Sequence, residues 1–152
     1  MKIAGVWNQH DCSFCILEDG RPIIHAELER YIREKEPKGN AVEFLEKVYK
    51  DEKIDHWITA EGCFDTTKGQ KRLIQEGCYE IGHHKAHAAN TFFSSNYDEA
   101  LIITIDGGGI DNGKQTATTI WKGIDNKIYP YKIIPKENIN IGNIWSRVTE
   151  QV

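Results

Sequence analysis

The sequence predicts an α/β fold, a mixed sheet with flanking helices, continuing into the start of a second lobe. Two β-rich meanders, at residues 2–25 and 100–134, each run strand, polar turn with an Asp, strand, turn with an Asp, strand. Between them lie stretches with helical spacing or Ala-rich composition. The chain has 152 residues, 39% of them hydrophobic and 28% charged, which suffices for a packed core and lies far from the disordered regime.

The balance of 19 basic and 23 acidic residues gives a net charge of −4, with no clustered Lys/Arg face. No nucleic-acid partner is therefore expected. No apolar run approaches the ~20 residues of a membrane span, and the start MKIAGVW lacks the basic flank and apolar centre of a secretion signal. No membrane association and a cytoplasmic location are the expectation.

Residues 2–7 and 12–17 read as strands around the polar turn Asn8-Gln9-His10-Asp11, and Asp19-Gly20 signals a hairpin into residues 22–25. A charged helical stretch follows from Ala26 and stops at Pro37 and Gly39. Asn40 caps a second helix, with Val42, Leu45, Val48 and Tyr49 as its apolar stripe. Residues 56–59 form a short strand, and 67–75 a helix or basic loop. Tyr79 to Ile81 leads into HHKAHAANTFFSS, an Ala-rich helix ended by Ser94, Ser95 and Asn96. The apolar run 99–105 reads as a central strand covered on both faces, 116–121 and 127–134 as two further strands, and 141–152 as the beginning of a helix.

Cys12 and Cys15 have the spacing of a redox or zinc pair, but in a strand positions i and i+3 face opposite ways. The four cysteines therefore read as small buried hydrophobes.

The two meanders form a weak internal repeat. In each, the first connection carries small or polar residues able to approach a phosphate, 8–13 in one and 106–112 in the other. Two such hairpins facing each other make the phosphate clamp of an actin-like, ribonuclease H-like architecture. On that reading residues 1–97 are its first lobe and 98–152 the start of a truncated second, whose exposed apolar sheet face would be covered by homodimerisation in isolation.

Chemistry concentrates in GHHKAHA. On a helix, His83 and His87 stand at i and i+4, so both imidazoles face one way and can share a metal. A zinc protease needs Glu directly after the first His, and His84 stands there instead. In Asp106-Gly107-Gly108-Gly109, three glycines suit a turn with N–H groups turned to phosphate, and Asp106 completes a His-His-carboxylate set. Such a set of His83, His87 and Asp106 suits Fe(II), Mn(II) or Zn(II).

At these residues the sequence resembles the NodU/CmcH group of O-carbamoyltransferases, relatives of the tRNA threonylcarbamoyl transferase. IAGVWNQHDCSFCILEDGRPIIHAELERYIREKE resembles the family's opening strand, His-Asp-Ser turn, hairpin and Glu-Glu-Arg-Phe segment. GHHKAHAANTFFSSNYDEALIITIDGGG resembles its His-His-x-x-His-Ala helix, Asp-Glu-Ala strand and Asp-Gly-x-Gly turn. IPKENINIGNIWSRVTE resembles the stretch that follows. Cys12, where the family favours Ser, and Cys15, where it favours a small residue, are departures.

The resemblance implies an actin-like transferase domain joined to a YrdC-like domain absent from these residues. Carbamoyl phosphate and ATP would give carbamoyl adenylate, whose carbamoyl group passes to a hydroxyl of a small-molecule acceptor. The metal, typically iron, would be held by the residues matching His83, His87 and Asp106 and by a further Asp downstream. His10 and Asp11, and with them His84, would contact the phosphate or carbamoyl end of the intermediate. The fragment alone would be inactive. The competing readings are an actin-like kinase or ATPase, and a non-catalytic metal- or nucleotide-binding module.

Overall fold

The structure, a computed structural model, describes residues 1–50, 53–63, 77–136 and 141–150. The helix or loop expected at 67–75 lies outside the described residues. The chain divides into two compact units, Met1–Glu80 and Ile81–Val152.

In the first unit, β1 (Lys2–Trp7), β2 (Ser13–Glu18) and β3 (Arg21–Glu27) form the expected meander, with β2 antiparallel to both neighbours. Asp19 and Gly20 take φ of 48° and 79° at its hairpin. Positive φ at both central residues is what a type I′ turn requires, and it matches the right-handed twist of the flanking strands.

β3 runs on to Glu27, opposite Ser13, so the charged stretch forms only one helical turn, α1 (Leu28–Ile32). The expected helix from Ala26 to Pro37 is thereby corrected. Strand pairing holds its first residues, and Arg33 ends it with left-handed φ of 62° and an N–H bonded to Glu29.

α2 (Ala41–Val48) is capped as expected, the Asn40 side chain accepting from the N–H groups of Val42 and Glu43. It returns the chain to β4 (His56–Ala60), which pairs parallel to β1. With β5 (Tyr79–Ile81) the sheet order is β3-β2-β1-β4-β5, the ribonuclease H-like arrangement. Ala4, Val6, Phe14, Ile16 and Trp57 from the sheet meet Val42, Phe44 and Leu45 of α2. Fully burying a side chain such as Phe14 or Ile16 contributes about 1.5–3 kcal/mol. Cys12 is buried beside them, whereas Cys15 is half-buried in the alternate register of β2, and all four cysteines are free thiols.

The second unit opens with α3 (His83–Phe93), then the antiparallel meander β6 (Glu99–Asp111), β7 (Lys114–Ile124) and β8 (Lys127–Pro135), and α4 (Ile141–Thr149). α3 packs Ala88 and Phe92 against Ile102 and Trp121. Gly123 lies under the Phe92 ring, where a Cβ would be 2.7 Å from it.

Two expectations are corrected here. β6 is an edge strand covered on one face, with Ile102 and Thr104 buried and Leu101, Ile103 and Ile105 exposed, rather than a central strand buried on both. The strand also continues through the three glycines. Its register shifts between Ile105 and Gly109, and the turn comes later, at Asn112 and Gly113 with φ of 53° and 72°. Among the described residues no helix is long and apolar enough to cross a membrane.

Candidate metal centre

α3 starts after Gly82 and keeps both histidines on one face. His83 Nε2 lies 2.7 Å from Asp106 Oδ2 and 3.1 Å from His87 Nε2, while His87 Nε2 is 3.7 Å from the same Asp106 oxygen. Donors ~2.0–2.2 Å from one tetrahedral or octahedral ion stand about 3 to 3.5 Å from each other. The observed triangle brackets that spacing. It is the one group of three His, Cys, Asp or Glu donors among the described residues that converges in this way.

The protonation states fit as well. Burial lowers the His87 pKa, neighbouring His83 adds to the effect, and Asp106 only partly offsets it, which favours the neutral ring. Burial pushes the Asp106 carboxyl up, but the hydrogen bonds from His83 and from the Gly107 N–H outweigh it and hold the group ionised. Neutral imidazole and carboxylate are the forms that bind a first-row metal.

The glycines give this site its closeness. A Cβ at Gly109 would collide with the His83 ring, and one at Gly142, in the first turn of α4, would stand 2.6 Å from the Gly107 nitrogen. The Gly107 N–H points at Asp106 Oδ1, 2.5 Å away, and Gly109 pairs with Thr116 in the ladder. Gly108, at φ 154°, has the Lys136 side chain across it. The expected open turn of free N–H groups is therefore a bulged strand carrying the carboxylate and receiving the imidazole, with a lysine beside it.

His84, expected at the reacting end of a substrate, is fully buried. Its Nδ1 lies 2.8 Å from both Asp111 Oδ2 and Thr116 Oγ1, and Nε2 has no partner among the described residues. His84 thus sits in the packing between α3 and the pair Asp111 and Thr116. Asp111 and Thr116 escaped the sequence reading. The available signal was Gly82, a helix start whose cap has to come from elsewhere.

In the first unit, the polar turn after β1 presents His10 and Asp11 to solvent, with His10 Nδ1 2.8 Å from Asp11 Oδ2. Asp11 takes a left-handed φ of 61°. The turn is pinned from beneath: the Asn8 side chain accepts from Ala41 N–H at 2.8 Å, the Asn8 N–H donates to Cys63 Sγ, and the Trp7 indole donates to the His10 carbonyl. Both side chains are thus held outward on a rigid loop.

No protein-family model matches the chain. It is 27% identical over 159 aligned positions to the uncharacterized protein MJ1051 of Methanocaldococcus jannaschii, a match covering 97% of this chain and 29% of that protein. It is 39% identical over 49 residues to the uncharacterized protein sll1178 of Synechocystis, covering 32% of this chain and 7% of that one. The chain thus spans less than a third of the length of these curated relatives.

Among solved structures, full-length HypF in a phosphate- and nucleotide-bound form superposes over 85% of this chain and 18% of HypF, with a TM-score of 0.58 and 16% identity. The two share a fold. The PPX-GPPA enzyme of Aquifex aeolicus aligns over 97% of this chain and 55% of its own length, with a TM-score of 0.47 and 13% identity.

Proposed function

We propose that this chain forms the metal-binding part of a carbamoyltransferase, acting on a carbamoyl adenylate made from carbamoyl phosphate and ATP and passing the carbamoyl group to a hydroxyl of a small-molecule acceptor. The observation that carries this reading is the triangle of His83 Nε2, His87 Nε2 and Asp106 Oδ2, with sides of 2.7, 3.1 and 3.7 Å. The motif resemblance supports it, as does the fold shared with a protein solved in a phosphate- and nucleotide-bound form.

On this reading His83, His87 and Asp106 hold a divalent ion, Fe(II) before Mn(II) or Zn(II). Such an ion would supply Lewis-acid stabilisation of charge on the adenylate. In the transfer the acceptor oxygen attacks the carbamoyl carbon, the bond from that carbon to the phosphate oxygen breaks, and AMP leaves. The hydroxyl proton passes to a base, a role a neutral histidine near the acceptor oxygen would fill. The Gly108 segment and Lys136 would offer an anion-facing edge. Residues 1–97 as the first lobe and 98–152 as the start of the second would belong to a longer protein that also supplies the YrdC-like domain.

The test is AMP release coupled to acceptor carbamoylation in the full-length transferase. His83→Ala and His87→Ala are expected to abolish both together. Unchanged turnover in folded variants would return the histidines to a structural role.

A further inference from the structure

Helix α3 begins at His83, and its N-cap, Gly82, offers no side chain to the free N–H groups of the first turn. Asp111 meets that need from another element. Its Oδ2 accepts from the His84 backbone N–H and its Oδ1 from that of Lys85, each at 3.2 Å. A carboxylate only accepts, so the 2.8 Å contact to His84 Nδ1 places a proton on that nitrogen. Thr116 donates its hydroxyl to Oδ2 at 2.9 Å. Four donors thus converge on one carboxylate, and Asp111, His84 and Thr116 are all buried. A Cβ at Gly82 would collide with the carboxylate, so the helix start is glycine because its cap arrives from the strand.

Asp111 also stands on β6, the strand that carries Asp106. We propose that Asp111 is the positioning residue of the metal centre: by capping the histidine helix from the strand that bears Asp106, it fixes the rings of His83 and His87 relative to that carboxylate. This inference rests on the metal-centre reading above. His83 is the first helical residue, hence the first to fray when a cap is lost. A binding constellation loses function when its groups drift by more than about 0.5 Å. Holding one ligand and the anchor of the other two on a single strand removes that freedom. Gly109, under the His83 ring, and Thr116, its ladder partner, close the arrangement.

The test compares Asp111→Ala, Asp111→Asn and Thr116→Val with the wild-type chain, first without metal and then with Co(II) as the probe. In the metal-free Asp111→Ala protein, the ring resonances of His83 and His87 are expected to shift while the amides of residues 2–50 stay in place. Co(II) affinity is expected to fall about 10–100-fold, the usual cost of losing a residue that orients a ligand. Asp111→Asn keeps one of the two accepting oxygens, so it can serve only part of the cap and should recover only part of the loss. Ring resonances that superimpose on wild type, or an unchanged Co(II) affinity in folded Asp111→Ala, would overturn the proposal. If Asp111→Ala does not fold, Thr116→Val decides in its place: displaced rings support the proposal and superimposable rings overturn it. A wild-type chain that takes up no Co(II) would sink the metal-centre reading, while the metal-free ring positions would still decide the role of Asp111.

Discussion

His83 and His87 bring their Nε2 atoms to within 3.1 Å of each other on one face of α3, and His83 Nε2 sits 2.7 Å from the carboxylate of Asp106 on β6. Two acceptor-capable nitrogens and an anionic oxygen gathered this closely repel one another unless protons or a cation lie between them. In the metal-free chain the hydrogen bond between His83 and Asp106 relieves this, and on the proposed function a cation would take that place.

The close approach of Gly109 to His83 leaves no room for a methyl group. Gly109→Ala is expected to cost about 1–3 kcal/mol through overpacking and to weaken metal binding, because the ring must move. Gly5→Ala, whose Cβ would meet only the Cys15 carbonyl at 4.0 Å, should be tolerated. Thermal melts with Co(II) titrations check the pair, and equal behaviour of the two variants would contradict the contact.

Stability should depend on Asp111 in a defined acid window. Burial pushes its carboxyl up, but hydrogen bonds from the His84 and Thr116 side chains and from the backbone of His84 and Lys85 outweigh this and hold it at about 2, from an ordinary 3.8. The unfolded chain therefore takes the proton first. The contribution, on the order of 2 kcal/mol, is present in full above about pH 4 and is lost as pH falls toward 2. The stability gap between wild type and Asp111→Asn should shrink across that window in denaturant titrations. A gap that stays constant would refute the assignment.

Asn40 accepts from two backbone N–H groups at the start of α2, so Asn40→Ala should destabilise the first unit by about 1 kcal/mol. Hydrogen exchange of the α2 amides is the direct readout, and unaltered protection would show the cap to be idle.

Leu101, Ile103 and Ile105 line the exposed side of edge strand β6. Such a face favours association with a second copy. Sedimentation velocity should show concentration-dependent dimerisation, removed by Ile103→Lys without loss of stability. A monomer at every concentration would contradict the expectation.

Local signals made much of this legible. The Asp19-Gly20 hairpin, the Asn40 cap and the i, i+4 spacing of His83 and His87 are written in adjacent residues. What stayed hidden depends on pairing partners. The charged run after Ala26 has good helix propensity, yet its start is held in the ladder opposite β2. The glycines after Asp106 looked like a turn because glycine marks both turns and bulges, and only the register with β7 separates the two. Asp111 and Thr116 reach His84 through that same register, so no short motif could have linked them.

The central claim is that His83, His87 and Asp106 form one metal centre. The most direct measurement is Co(II) titration of the metal-free chain, followed by visible absorption and calorimetry, with His83→Ala, His87→Ala and Asp106→Ala alongside. We expect one Co(II) per chain, a ligand-field spectrum typical of mixed nitrogen and oxygen donors, and loss of binding in each folded variant. Binding that survives all three substitutions, or no binding by the wild-type chain, would contradict the claim.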